Sequence, residues 1–177
     1  MKKSLIPLIC ACAALLSAED FPIGLDKAKI GDSKMPGWNI NTFGHKDGVG
    51  KGEIIAGSKE GTKAFKFTTT TRMTAFYTKA VPSKVGDVIE FTARVKGKGT
   101  LILGYYNYGD KHVYLQAAPE SSRSFKLQPD WQEISCKITV VPAQKGELKY
   151  VRPMITLRPN SEVIMEDISI KLTPSAK

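Results

Sequence analysis

The sequence predicts an all-β protein: a two-sheet antiparallel β-sandwich behind an N-terminal leader. Three observations predict it. Apolar residues recur at every second position over several short segments, glycine and proline punctuate the chain between them, and no segment beyond the leader shows the 3.6-residue period of an amphipathic helix. A period of two places one face of each strand in a core and the other in water. About nine or ten such strands are expected.

The leader comes first. Lys2 and Lys3 precede an almost uncharged run over residues 4–18, followed by Glu19 and Asp20. A basic start, a short apolar stretch and a small residue before a polar one form a secretory signal peptide. The run is shorter than the roughly 20 apolar residues that a spanning helix needs. Cleavage after Ala18 leaves residues 19–177 as one β-sandwich domain with a core over about 21–172. The alternative is lipoprotein processing at Cys12, because Ile9-Cys10-Ala11-Cys12 loosely resembles a bacterial lipobox, although the apolar run continues through Leu16. Either route places the protein in the medium, in a periplasm or on the surface of a bacterium. Chemistry that draws on ATP or a reduced nicotinamide pool is excluded there. Membrane contact is expected only through a lipid on Cys12.

Cleavage leaves Cys136 alone, so no intrachain disulfide forms and the core must hold the fold. The formal net charge of +9 falls to +7 without Lys2 and Lys3, with 24 basic against 17 acidic residues. The lysines are scattered, which reads as a solvated surface. No nucleic-acid partner is expected, since no reader motif accompanies the charge.

Residues 21–40 read as irregular, with Pro22, Gly24, Gly31, Pro36 and Gly37. Strands follow over 63–69 and 74–80. Over 87–95, Ile89, Phe91, Ala93 and Val95 face the core while Glu90, Thr92 and Arg94 face away. Lys96-Gly97-Lys98-Gly99 reads as a tight connection into a strand over 100–106. Over 131–141, Ile134, Cys136, Ile138 and Val140 share the inner face. A turn at 142–146 leads into a strand over 147–157, where Pro153 implies an edge or a bulge. The last strand, 162–172, is expected to turn Ile164, Ile168, Ile170 and Leu172 inward.

The order of several short motifs carries a resemblance. Pro36-Gly37-Trp38, Gly61-Thr62-Lys63-Ala64-Phe65-Lys66-Phe67, the strand over 74–80, the run from Gly86 to Gly97, Trp131-Gln132-Glu133-Ile134 and the closing Val163-Ile164-Met165-Glu166-Asp167-Ile168-Ser169-Ile170 follow one another as in the galactose-binding-like jelly-roll modules. The chain is most similar to the carbohydrate-binding domains appended to bacterial glycanases, over residues 21–172. That resemblance implies a jelly-roll topology and a carbohydrate partner. It also implies that Trp131 packs inside the module, and that Asp167 with Asp20 or Glu19 holds a structural calcium.

Tyr105-Tyr106-Asn107-Tyr108, followed by Tyr114 and Gln116, offers flat rings and amides suited to the CH faces and hydroxyls of sugars. On a strand Tyr106 and Tyr108 share one face and Tyr105 takes the other. The plainer reading is that tyrosine simply favours strands. Trp38 adds a further stacking candidate, and Arg72, Arg94 and Arg152 are able to grip carboxylates in a bidentate fork. Glu166 and Asp167 are adjacent and point to opposite faces, so they do not form the closely spaced carboxylate pair of a retaining glycosidase. His45 and His112 lack zinc-ligand partners, and no Gly-x-Ser-x-Gly elbow is present. The sequence thus reads as a secreted carbohydrate-binding module without catalysis. The alternatives are an adhesive surface protein that binds another protein, and a lyase acting on acidic glycan through His112, Tyr114 and Gln116.

Overall fold

The computed structural model describes residues 18–43, 50–115 and 118–176. The leader, Cys12, His45 and Gln116 lie outside the described residues. Among those residues the chain forms thirteen strands: β1 (Glu19–Asp20), β2 (Trp38–Asn41), β3 (Gly50–Ala56), β4 (Lys63–Thr69), β5 (Met73–Tyr77), β6 (Val81–Pro82), β7 (Val88–Lys98), β8 (Thr100–Tyr108), β9 (Tyr114–Leu115), β10 (Ser122–Lys126), β11 (Gln132–Thr139), β12 (Tyr150–Leu157) and β13 (Ser161–Thr173).

Two antiparallel sheets face each other. The first runs β11-β7-β13-β4-β3, with β1 beside the end of β13; the second runs β10-β8-β12-β5-β2, with β6 beside β12 and β9 beside β8. This is a jelly-roll β-sandwich. Alternation builds its interior: Ile89, Phe91 and Val95 of β7 meet Leu101, Leu103 and Tyr105 of β8, all essentially buried with Phe65, Phe67, Ile155 and Met165. Burial of this apolar area is the main force closing the sandwich, at roughly 25 cal/mol per Å². Tyr105 enters the core with its hydroxyl satisfied: it accepts from the Val141 N–H at 2.9 Å and donates toward the Thr139 carbonyl at 3.4 Å.

Four local expectations are corrected. The connection after β7 is a single residue, Gly99 at φ 88°, because β7 continues through Lys98. Residues 38–41, assigned to an irregular stretch, pair with β5 from Trp38 opposite Tyr77. Pro153 lies in a central strand with an unbroken register against β8 from Tyr150 to Leu157. The opposite flank tolerates it: β12 pairs with β6 through Val151 and with β5 only from Met154, so no ladder partner stands beside Pro153 there.

The fourth concerns β13. Val163 and Met165 are fully buried, while Ile164 stands outward, opposite Lys66 and Lys96. A β-bulge between Glu166 and Ser169, with Asp167 at φ 51°, then shifts the phase so that Ile170 and Leu172 face inward. A strict period of two cannot reveal such a shift. β3 and β10 were also hidden in the sequence. Gly52 of β3 replaces an inward side chain, since a Cβ there stands 2.8 Å from Ile40 Cδ1 and 2.5 Å from the Ser33 carbonyl oxygen. β10 is an edge strand with little apolar content.

Candidate functional site on the outer face of the second sheet

The outward positions of β5, β8, β9 and β12 form one surface. Register brings Arg152 opposite Tyr106 and Tyr150 opposite Tyr108, while Met154 lies between Gly104 and Phe76. β9 adds Tyr114 opposite Tyr108. The rings meet edge to face: Phe76 to Tyr106 at 6.1 Å, Tyr106 to Tyr114 at 5.8 Å and Tyr114 to Tyr108 at 5.9 Å between centroids. Such contacts hold each ring in one orientation and favour a fixed platform. Tyr114 is 55% exposed, whereas Tyr106 and Tyr108 are half-buried.

Below the rings is a polar floor. The hydroxyls of Thr74 and Thr156, both fully buried, share a hydrogen bond of 2.7 Å. Burial raises the Tyr106 phenol above its ordinary pKa, against the opposing pull of Thr74 and of the positive charge of Arg72. Tyr106 is therefore a neutral hydroxyl at neutral pH, able to donate and accept. The Arg152 guanidinium carbon lies 4.4 Å from the Tyr108 ring centroid, and that of Arg72 lies 5.0 Å from the Phe43 ring. At the rim, His112 packs on Tyr150 at 4.4 Å. It belongs to a one-turn 3-10 helix, Asp110–His112, with φ 56°, and so does not continue the strand alternation of Tyr114.

Tyr106, Tyr108, Tyr114 and Arg152 are thus brought together on one face, with Arg72 exposed at its border. Three expected site residues are placed elsewhere. Trp38 is 1% exposed on the core side of β2, its indole N–H donating toward the Pro22 carbonyl at 3.4 Å, so it cannot stack on an external ligand. Asn107 is fully buried on the inner side of β8, because it falls one position out of phase with Tyr106 and Tyr108. Arg94 lies on the other sheet. Phe76 and Tyr150 were missed, and only strand register, which sequence periodicity does not give, joins them to the platform.

Glu166 and Asp167 also behave differently from each other. The Glu166 carboxylate is buried on the outer side of the first sheet, where Arg94 Nη1 and the Ser58 hydroxyl contact Oε1 at 2.5 Å and the Ser58 N–H donates to Oε2 at 2.9 Å. Burial works against its charge, but the two Ser58 donors and Arg94 outweigh that and hold the pKa below the ordinary value. Arg94 and Lys96 in turn lie over Trp131 at 4.7 and 4.8 Å. The residues named for calcium are not brought together. Asp20 pairs in register with Lys171, about three ladder positions from the bulge that holds Asp167, or roughly 10 Å at strand rise, and no group of three or more His, Cys, Asp or Glu side chains able to hold a metal occurs among the described residues.

No family model matches the sequence, and no curated protein matches it. Solved structures do share its architecture. An apo cyclase from Fischerella sp. aligns with a TM-score of 0.60 at 11% identity, covering 91% of this chain and 99% of that one. An arabinose-bound MgGH51 α-L-arabinofuranosidase aligns with a TM-score of 0.60 at 10% identity, over 89% of this chain and 27% of its own. The xylan-binding CBM22-1 domain from Paenibacillus barcinonensis Xyn10C aligns at 0.49 and 14% identity, over 84% and 99%. The two likenesses at a TM-score of 0.60 support the jelly-roll β-sandwich fold.

They also correct the reading of a non-catalytic module. Cyclases from Fischerella match over their whole length, so one sandwich of this architecture can constitute an entire enzyme. The expectation that this protein is not an enzyme does not stand. The function inferred from the sequence, with its adhesive and lyase alternatives, is not retained.

Proposed function

We propose that the aromatic outer face of the second sheet is the ligand site of this protein, and that carbohydrate is the ligand class it seats. One observation carries the reading: Phe76, Tyr106, Tyr114 and Tyr108 form a continuous chain of edge-to-face rings on a single outward surface, beside Arg152. Ring faces match the CH faces of pyranosides, and the neutral Tyr106 hydroxyl and the arginine fork match their polar substituents. The platform stands on hydrogen-bonded strands, so little ordering is needed on binding. The proposal concerns recognition at this face and does not set chemistry aside. The same fold forms 27% of an arabinose-bound arabinofuranosidase, which is in keeping with this reading. Export through the leader over residues 1–18 belongs to the same proposal, and the mass of the mature N-terminus tests it: cleavage after Ala18 supports it, and an intact Met1 in the exported fraction overturns it.

The test is a glycan array probed with the full exported chain and with Tyr114→Ala, followed by mass spectrometry of every glycan bound. Retention of at least one glycan, weakened in the variant, is expected. An array without a single retained glycan, or retention indifferent to Tyr114, overturns the assignment. A mass change in the bound glycan reports turnover directly.

A further inference from the structure

Among the described residues, Arg152 is a cation without a counter-ion. Its Nε is shielded from solvent and has no hydrogen-bond partner, and no ion pair among the described residues includes it. Its outward neighbours in register, Tyr106, Tyr108, Tyr150 and Met154, are uncharged. No acidic residue occupies an outward position of β5, β8, β9 or β12. Shielding a guanidinium N–H from water without a hydrogen-bond partner is unfavourable unless an acceptor meets it. Stacking on Tyr108 leaves the edge of the fork available for one, in the geometry suited to bidentate contact.

Arg72 repeats the arrangement at the border. It stacks on Phe43, has no carboxylate partner among the described residues, and acts electrostatically on Tyr106. Tyr106 thus lies opposite one guanidinium and within the electrostatic reach of a second, neither of them in an ion pair among the described residues, in a chain of net charge +9.

We infer that this face selects an anionic glycan, in which a sugar ring stacks on the tyrosines and its carboxylate or sulfate is held by Arg152, with Arg72 as a second contact. The inference rests on the aromatic face being the ligand site. An arginine in the middle of an aromatic floor serves a neutral sugar poorly, because its charge then stays unmatched and its shielded Nε unpartnered.

Calorimetric titration of the full chain with matched pairs tests it. The pairs are tetragalacturonate with its carboxyl-reduced counterpart, and a carrageenan tetrasaccharide with its desulfated form. The charged member of at least one pair is expected to bind tenfold or more tightly than the neutral one, and which pair responds separates carboxylate from sulfate. That advantage is expected to shrink as salt rises from about 0.05 to about 0.5 M and to vanish in Arg152→Gln, whose near-ultraviolet circular dichroism should remain native. Arg152→Lys is expected to keep only part of the advantage. Equal binding of charged and neutral members, weakened by Tyr114→Ala, overturns this inference and leaves the aromatic site standing. Binding of neither pair overturns this inference, while the glycan array decides whether the aromatic site stands. An advantage that survives Arg152→Gln combined with Arg72→Gln places the anion elsewhere and overturns the inference, as does tighter binding of a single-stranded oligonucleotide to the same face.

Discussion

Arg94 and Arg152 occupy matching positions on opposite faces of the sandwich. Each projects outward from a strand flanked on both sides within its sheet, and each lies over an aromatic ring, Trp131 at 4.7 Å and Tyr108 at 4.4 Å. They differ in what meets the charge. Arg94 has the buried Glu166 carboxylate, itself bound twice by Ser58, and Arg152 has no such partner among the described residues. The first arrangement is closed on itself, and its hydrogen bonds are all supplied from within. The second has no anion among the described residues, which is why an external one is proposed for it. Two outward arginines therefore differ in role: one is tied into the first sheet by Glu166, and the other is the residue proposed for recognition.

The largest effect should come from breaking the closed side. Arg94→Ala leaves a buried carboxylate with only the Ser58 donors, and removing one partner of a buried pair is worth about 3–5 kcal/mol. Thermal denaturation should show a large drop in Tm. A loss below about 1 kcal/mol would mean that Glu166 is solvated and that the contrast between the two arginines is false. Arg152→Gln should change stability by less than about 1 kcal/mol, because it removes an unpaired charge.

Acid should act on the same closed side. Glu166 is held below its ordinary pKa, as is Asp87, where burial is outweighed by the N–H groups of Lys84 and Ser175 and the Ser83 hydroxyl. A carboxylate whose folded pKa is depressed adds stability above its unfolded value, near about 4 for these groups, and that stability is lost as pH falls through the lower folded value. Urea denaturation should therefore show stability falling below about pH 4.5. Glu166→Gln should start from lower stability at neutral pH and fall less steeply in acid. Equal slopes in the two proteins would remove Glu166 from the account.

The difference between the faces also explains what the sequence made legible. Alternation located β4, β11 and most of β7 and β8, because each buries one face and wets the other, and the strand expected over 147–157 contains β12. It also put Tyr106 and Tyr108 together and Tyr105 apart. It failed where local geometry breaks the period. The bulge at Asp167 inverted the phase of Ile164, and Gly52 concealed β3 by leaving an inward position without a side chain. Trp38 was misread because a turn-rich neighbourhood hides whether an aromatic residue points in or out. Phe76 and Tyr150 join the platform only through cross-strand register, and the pairing of Arg94 with Glu166 spans 72 residues of sequence. Long-range pairing is the information that a linear pattern does not hold.

A smaller change sharpens the open side. Tyr114 is the most exposed ring of the platform and touches Tyr106 and Tyr108 only at their edges. Tyr114→Ala should weaken ligand binding about fivefold to tenfold, the equivalent of one lost aromatic contact, while Tm stays nearly constant. A drop in Tm without a change in affinity would make Tyr114 a packing residue.

The smallest effect concerns Cys136, which points toward the interior from β11 and packs against the edge of the core. Burial pushes its thiol up to about 11, against a weak opposing influence of Arg123. At pH 8 the thiolate is then a minor species, and the half-buried sulfur is shielded as well. Alkylation by iodoacetamide should be slow in the native protein and rapid in urea, with ligand affinity unchanged by Cys136→Ser. Fast labelling of the native chain would show that the edge at β10 and β11 opens readily, which would make the first sheet's rigidity depend on the Glu166 cluster alone.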